Sequence, residues 1–206
     1  QGAKLRWRTP RMVARADKVL AKQIVAERLG AEWITPTLYA GPALPPRSER
    51  TWTAPYVIKA NHWSGGNHFV TGPEEPDWDA IDERVATWFG RKYGRSMGEW
   101  VYRAISPQVL VEPYIGGDEP PVDYKLHVID GRMEFSSVNW DYFSELKRIN
   151  YDRDWNRLPF VMSNDASPYD GDGTPPKPES YAEMIRAAEL LSAGFPFARV
   201  DFYEID

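Results

Sequence analysis

The chain contains no cysteine among its 206 residues. Disulfides, thiolate zinc sites and cysteine nucleophiles are therefore excluded, and because a cysteine-free chain suits a reducing compartment, we expect a cytoplasmic protein. The sequence also lacks any apolar run near the roughly 20 residues of a membrane-spanning helix. It has no excess of positive charge, since the formal net charge is −5. This acidity argues against nucleic acid as a partner, because phosphate contacts require concentrated Lys and Arg.

Hydrophobic residues make up 42% of the chain, which is enough for one substantial core or for two small subdomains sharing a cleft. The chain begins at Gln1 without an initiator methionine, and it ends at Asp206 directly after a strand pattern. We therefore expect a fragment of a longer protein, truncated at its C-terminal end.

Capping residues and periodicity predict two helices and a hairpin in the N-terminal half. Asp17 is expected to cap a helix over Lys18–Leu29, and Asp77 to cap a second helix that stops at Gly90. Residues 35–54 are rich in proline and are expected to form a loop. Tyr56–Ala60 and Asn67–Val70 are predicted to pair as antiparallel strands.

Strand patterns dominate the C-terminal half, where residues 122–128 alternate between apolar and polar before a hairpin turn at Asp130-Gly131. Ser180 and Glu183 are predicted to form a capping box that starts a helix. A strand over residues 197–203 follows. This order of elements predicts an α+β fold rather than a doubly wound parallel sheet.

Polar residues inside the predicted strands are the candidates for chemistry. Arg199 and Asp201 lie two residues apart in an otherwise apolar strand and share a face, so they form either a structural ion pair or a site for phosphate and metal. Lys59 precedes a loop with Gly65-Gly66, which suits phosphate but also fits an ordinary hairpin turn.

A second group of candidates surrounds the expected end of the strand at residues 108–111. The segment Glu112-Pro113-Tyr114-Ile115 is expected to leave that strand as a turn that exposes amides and carbonyls to a base edge. Glu119, further along, could reach sugar hydroxyls, although it is equally a solvated acid. Lys125 is a surface residue unless its strand face lines a cleft.

Taken in order, these segments resemble the TupA-like branch of the ATP-grasp superfamily, named for a teichuronopeptide biosynthesis protein. The resemblance covers most of the chain and rests on the following motifs: Asp17-Lys18; Val57-Ile58-Lys59 with Asn61-His62-Trp63-Ser64-Gly65; Glu99-Trp100-Val101-Tyr102 with Ile105-Ser106-Pro107; Asp123-Tyr124-Lys125; Tyr151-Asp152-x-Asp154-Trp155; and Gly194-Phe195-Pro196-Phe197-x-Arg199-Val200-Asp201-Phe202-Tyr203.

The resemblance implies an ATP-grasp fold in which two α+β subdomains enclose a nucleotide cleft. It divides a single domain over 1–206 into a helical and connector part, 1–52, a small nucleotide-binding subdomain, 53–115, and a larger antiparallel-sheet subdomain, 116–206, incomplete at its C-terminus. The cofactors it implies are ATP and Mg²⁺.

The resemblance also implies a role for each candidate residue. Lys18 and Lys59 would contact phosphates, with Ser64, Gly65 and Gly66 closing over them. Adenine would be held by Glu112, Pro113, Tyr114 and Ile115, and ribose by Glu119. Lys125 would face the phosphates or the acceptor, Arg199 would contact the transferring phosphoryl group, and Asp201 would bind Mg²⁺. In this superfamily a return strand then carries a further Glu and usually an Asn, and the sequence stops before that strand.

The implied activity is that of an ATP-dependent carboxylate–amine ligase acting through an acyl phosphate. The family name suggests substrates linked to a cell-surface glycan, to which an amino acid or peptide is attached. Two other readings stay open. Nine Trp and eleven Tyr could serve a carbohydrate-binding module, and a chain without the missing ligands could be a non-catalytic ATP-grasp remnant.

Overall fold

The structure, a computed structural model, describes residues 8–63, 65–90, 100–117, 120–141, 145–160 and 169–205. The chain divides into two units, residues 1–114 and residues 115–206. Among the described residues, no helix combines the length and the apolar character needed to cross a membrane.

The first unit opens with two consecutive helices, α1 (Pro10–Ala16) and α2 (Lys18–Leu29). The prediction for α2 is confirmed: the Asp17 carboxylate caps it by accepting hydrogen bonds from the amides of Val19 and Leu20. Helix α1 was not predicted, because its seven residues give too short a pattern.

A four-stranded antiparallel sheet forms the centre of the first unit. In spatial order its strands are β1 (Tyr39–Gly41), β4 (Val109–Pro113), β2 (Tyr56–Ala60) and β3 (Asn67–Val70). The hairpin of β2 and β3 is confirmed. The prediction that residues 35–54 are loop is partly wrong, since they contribute β1 and a 3₁₀ turn at Arg47–Glu49. Strand β1 is stabilised by pairing with the distant β4, which a local pattern does not reveal.

Helix α3 (Trp78–Phe89) covers one face of this sheet. Asp77 caps it as predicted, by accepting from the amide of Ala80. Its buried stripe of Ile81, Val85 and Trp88 packs in the same core as Tyr56 and other alternate residues of β2 and β4. Burial of each such side chain contributes about 1.5–3 kcal/mol, so the opposite face of β2 and β4 is the one left for polar groups.

The second unit contains another four-stranded antiparallel sheet. In spatial order its strands are β7 (Lys147–Asp152), β6 (Arg132–Trp140), β5 (Asp123–Ile129) and β8 (Phe197–Phe202). The turn between β5 and β6 is confirmed, with φ of 47° at Asp130 and 83° at Gly131. Positive φ at both positions matches a tight hairpin turn, which explains why the pair Asp-Gly occurs there.

Helix α4 (Tyr181–Leu191) packs on one face of this sheet through Tyr181, Met184, Ile185 and Ala188. The predicted capping box is wrong: the Ser180 side chain does not cap the helix. Instead, the amide and the hydroxyl of Ser180 both donate to one carboxylate oxygen of Glu204, at 2.8 and 2.7 Å. A residue 24 positions away thus replaces Glu183, which sequence spacing could not indicate.

The Tyr151-Asp152-x-Asp154-Trp155 motif forms a structural corner after β7. The Asp152 carboxylate accepts from the amides of Asp154 and Asn156, at 2.9 and 2.7 Å. The Trp155 ring stacks on Tyr151 with a centroid distance of 4.2 Å. We therefore assign this motif to the architecture of the second unit.

Candidate functional site

Two residues of helix α2 bring lysine side chains to the first unit's sheet. Lys18 begins the helix, and its ammonium group donates to the carbonyls of Ala60 and Trp63, at 2.8 and 2.6 Å. Burial, together with the neighbouring charge of Lys59, lowers the pKa of Lys18 to about 8. Lys22 follows one turn later and pairs with Glu112. Spacing of four residues places both side chains on one side of the helix.

Glu112 is the carboxylate of this cluster. It forms ion pairs with Lys22 and with Lys59, the latter at 2.7 Å, and its side chain is only 7% exposed. Burial opposes ionisation of Glu112, but the charges and hydrogen bonds of Lys59 and Lys22 hold its pKa below the ordinary value. Three lysines around one bridging carboxylate leave an excess of positive charge, which favours an anionic ligand.

Strand register explains why Lys59 and Glu112 meet. Val57 lies opposite Glu112, and Lys59 lies opposite Leu110, so the two charged residues are diagonal neighbours on one sheet face. Phe69 of β3 lies opposite Val57 and therefore belongs to the same face. Val57 and Leu110 on this face are buried, at 2% and 1% exposure, whereas Phe69 is 49% exposed. An exposed aromatic ring beside the lysine cluster suits a ligand with a flat apolar part and an anionic part.

The segment Asn61–Trp63 is anchored by buried hydrogen bonds. The Asn61 side chain donates to the carbonyl of Ser106 and accepts from the amide of Gln108, at 3.0 and 2.7 Å. A ring nitrogen of His62 lies 3.2 Å from the carbonyl oxygen of Trp88. The loop that follows β2 is therefore fixed at its base to β4 and to helix α3.

The glycine pair has a packing role in this loop. A Cβ atom on Gly66 would lie 2.3 Å from the indole nitrogen of Trp63, and one on Gly65 would lie 2.6 Å from the same ring. Glycine is required at both positions because any side chain would displace Trp63. This explains the glycines without a ligand, and it leaves the backbone of the loop close to Lys18, which holds the Trp63 carbonyl.

The segment Glu112–Ile115 differs from its prediction. Strand β4 continues through Glu112 and Pro113, so the chain leaves the strand two residues later than expected. The amide of Tyr114 donates to the carbonyl of Pro55 at 3.0 Å. The expected turn with open amides is therefore wrong at Glu112 and Tyr114, because pairing with the β2 side of the sheet continues. The Tyr114 ring packs edge-on against Phe69, at 5.4 Å between centroids.

A row of charged side chains lies on the sheet face of the second unit opposite helix α4. We call Arg199, Asp201, Lys125 and Asp123 the charged row. Arg199 and Asp201 share that face as predicted, with two hydrogen bonds of 2.7 and 2.9 Å between them. Lys125 lies opposite Asp201 in the register and contacts it at 3.2 Å, and it also pairs with Asp123. Burial opposes ionisation of Asp201, but Arg199 and Lys125 lower its pKa below the ordinary value.

His127 extends this charged row along β5. It lies opposite Arg199, and its ring stacks on Phe135 with centroids 4.2 Å apart. Burial and the nearby Arg199 charge lower the pKa of His127 to about 4, so the imidazole is neutral near pH 7. The sequence offered no signal for His127, because a single histidine in a strand has no ligand spacing.

Asp201 is the candidate ligand for Mg²⁺ in the second unit. The described residues contain no group of three or more His, Asp and Glu side chains that could hold a metal. Mg²⁺ nevertheless binds proteins through one or two carboxylates together with water and substrate phosphates. Asp201, whose side chain is 36% exposed, fits one such carboxylate. Ser64 and Glu119 lie outside the described residues, as does Glu99 of the third motif.

Comparison with known proteins identifies the chain. The family model for TupA-like ATP-grasp proteins matches residues 1–206. The chain belongs to the TupA-like ATP-grasp family. No curated protein matches this family member.

Solved structures similar to this TupA-like chain include an ATP-grasp ligase and an L-amino acid ligase. The ligase PsnB, complexed with a phosphomimetic variant of its minimal precursor, Mg and ADP, has a TM-score of 0.50 and 13% identity over 95% of this chain and 48% of that chain. An L-amino acid ligase from Bacillus licheniformis has a TM-score of 0.49 and 14% identity, over 92% of this chain and 39% of that chain. The TupA-like chain thus spans less than half the length of either, and the likeness to PsnB shows the ATP-grasp fold.

Sequence reasoning missed Lys22, Asp123 and His127. Lys22 could have been found, because it follows Lys18 by one helical turn. Asp123 shares a strand face with Lys125 two residues on, and that alternation is readable as well. The partner of Lys22 could not have been found, since Glu112 lies 90 residues away.

Proposed function

We propose that this chain is the nucleotide-binding part of an ATP-dependent carboxylate–amine ligase. The observation that carries the proposal is the cluster of Lys18, Lys22 and Lys59 around Glu112, on the sheet face that also presents Phe69. A base would lie on Phe69, and the triphosphate would replace part of the Glu112 interaction with the lysines. Phosphoryl transfer depends mainly on positioning and on neutralising phosphate oxygens, which lysines supply.

Adenine would lie against Phe69, near the segment from Glu112 to Ile115. Lys59 and Lys22 would bind phosphate oxygens, with the loop of Ser64, Gly65 and Gly66 covering them and Glu119 on the ribose. Lys18 would bind phosphate only with its remaining proton, because two of its three are already donated to carbonyls. Its main contribution would be to fix the loop and to add charge.

The second unit would supply the reacting groups. Arg199 and Lys125 would contact the transferring phosphoryl group, and Asp201 would hold Mg²⁺, which supplies positive charge to the phosphate oxygens. The substrate carboxylate would attack the γ-phosphorus and displace ADP. An amine would then attack the acyl phosphate and release inorganic phosphate, forming an amide.

The substrate class follows from the family name rather than from the site. We propose that the enzyme acts in the cytoplasm and attaches an amino acid or peptide to a cell-surface polysaccharide or to its precursor. The charges of the second unit accept a carboxylate of any origin, and a glycan-linked acid is compatible with them.

Thermal unfolding of the full-length protein tests the proposal. Mg²⁺ with ATP should raise the midpoint, because a ligand that binds only the folded state stabilises it. ADP should be released once carboxylate and amine are both present. Stabilisation by glucuronate oligosaccharides alone would instead support a carbohydrate-binding module, and nucleotide binding without ADP release under any substrate pair would support a non-catalytic remnant. Either outcome overturns the ligase assignment.

A further inference from the structure

Buried polar atoms without hydrogen-bond partners are concentrated on one face of the second unit's sheet. Among the described residues they include Nδ1 of His127, Nδ2 of Asn139, and both Nδ2 and Oδ1 of Asn150. Asn139 and Asn150 are each 0% exposed. A buried amide that makes no hydrogen bond costs about 1–3 kcal/mol, so a cluster of them requires an explanation.

The strand register places these amides beside the charged row. Lys125 lies opposite Ser137, which lies opposite Asn150, and Lys125 lies opposite Asp201 on its other side. Neighbouring strands are about 4.8 Å apart, so Asn150 is about 10 Å across the sheet from Lys125. On this face the neutral Asn150, Asn139 and Ser137 therefore lie between charged Lys125 on β5 and charged Arg148 on β7.

The hydrogen bonds that these side chains do make determine which of their polar atoms lack a partner; we call those atoms open. Asn139 Oδ1 accepts from Arg148 Nε at 2.6 Å, so its Nδ2 is the open donor. The His127 Nε2 atom lies 3.1 Å from the Ser137 hydroxyl, which leaves Nδ1 open. Asn150 offers an open donor and an open acceptor side by side. A residue of an extended peptide complements Asn150 best, because its own N–H and C=O point to the same side and can pair with Oδ1 and Nδ2.

We propose that Asn150, Asn139 and Ser137 form a subsite for an amide-bearing substrate whose carboxylate lies at Lys125 and Arg199. This inference rests on the proposed function for the position of the carboxylate. The substrate class is a peptide-like carboxylic acid with an amide within about 10 Å of the carboxylate, the span set by the strand spacing. Because the amides are buried in the ligand-free chain, binding requires local opening of the packing over this face.

Binding of three carboxylates to the full-length protein, measured by calorimetry without nucleotide, tests the subsite. The probes are N-acetylglycylglycine, octanoate, which has the same chain length without amides, and glucuronate, which carries hydroxyls. We expect N-acetylglycylglycine to bind at least tenfold more tightly than the other two. Equal affinities, or tighter binding of glucuronate, would overturn the proposal without involving any variant.

A pair of variants separates recognition from stability. Asn150→Leu should weaken N-acetylglycylglycine at least tenfold and leave octanoate unchanged. Ser192→Ala removes another buried hydroxyl of the second unit that lacks a partner, at the end of helix α4, and should change neither. Unchanged affinity for N-acetylglycylglycine in Asn150→Leu would show that the amide is only structural.

Nucleotide binding keeps the two proposals distinguishable. Asn150→Leu should keep the ATP-dependent rise in unfolding midpoint of the parent. Absence of that rise in the parent would refute the proposed function, while the preference among the three carboxylates would still report on the subsite.

Discussion

The charged side chains of the two units differ in how deeply they are buried and in how they are paired. In the first, Glu112 bridges Lys22 and Lys59 with a side chain that is only 7% exposed. In the second, Arg199 and Asp201 pair at the sheet edge with side chains 49% and 36% exposed, while neutral amides lie buried nearby. The first arrangement is a pre-organised cluster that depends on its carboxylate, and the second is a set of exchangeable ion pairs. Loss of charge should therefore affect stability in the first unit and ligand binding in the second.

Replacing the bridging carboxylate should have the largest effect on stability. Glu112→Gln leaves Lys22 and Lys59 facing each other in a half-buried site, and removing one partner of a buried pair costs about 3–5 kcal/mol. Urea unfolding measures this loss. Glu134→Gln is the matched control, because Glu134 pairs with Arg132 on the surface, where a pair contributes about 0–1 kcal/mol. Similar losses of unfolding free energy in both variants would contradict the difference between the buried and the surface ion pairs.

The buried imidazole of the second unit should make stability depend on acidity. The pKa of His127 is about 4 in the folded chain, against 6.5 for an ordinary histidine. The unfolded state binds more protons between these values, so the free energy of unfolding should fall by about 3 kcal/mol as the pH drops from 6.5 to 4. Subtracting the profile of His127→Phe, measured by urea unfolding, isolates this contribution. If the free energies of unfolding of the parent and of His127→Phe changed with pH in parallel, the lowered pKa of His127 would be refuted.

Deprotonation of Lys18 should lower the affinity for ATP at alkaline pH. Its pKa of about 8 means that the ammonium loses its proton as the pH rises from 7.5 to 9. ATP affinity should fall about tenfold over this range, because the added charge near the phosphates disappears. Calorimetry with ATP and Mg²⁺ gives the profile, and Lys18→Gln should flatten it. A parent profile without an inflection near pH 8 would remove Lys18 from the site.

The smallest effect concerns the corrected helix cap. Glu204→Ala removes the acceptor for both donors of Ser180 and should cost about 1–2 kcal/mol in thermal unfolding. Glu183→Ala removes the residue that the sequence pattern favours, and it should cost less than about 0.5 kcal/mol. A larger loss of stability in Glu183→Ala than in Glu204→Ala would instead support the capping box of Ser180 and Glu183.

Much of the fold could be predicted where the signals are local. Helix α2 has its cap in the preceding residue, and the alternation in β8 correctly places Arg199 and Asp201 on one face. Prediction failed where a distant partner decides the structure. β1 forms by pairing with β4, and the Ser180 cap comes from Glu204.

The same limit applies to the candidate site. Residue types and order indicate Lys59, Lys125 and Asp201 as candidates, because charges in apolar strands are rare. Their contacts depend on register across the sheet, as for Glu112, which was expected in a turn with its backbone exposed. Buried amides such as Asn150 give no sequence signal, since asparagine in a polar segment looks like loop.

The central claim is that the lysine cluster of the first unit binds the phosphates of ATP. Calorimetric titration with ATP and Mg²⁺ of the full-length parent, Lys59→Met and Asp201→Asn tests it directly, with Lys147→Met as a control in a half-buried ion pair outside the candidate site. We predict at least tenfold weaker binding in both site variants, with the Mg²⁺ dependence lost only in Asp201→Asn. Unchanged affinity in Lys59→Met would contradict the central claim, and unchanged Mg²⁺ dependence in Asp201→Asn would remove Asp201 as the metal ligand.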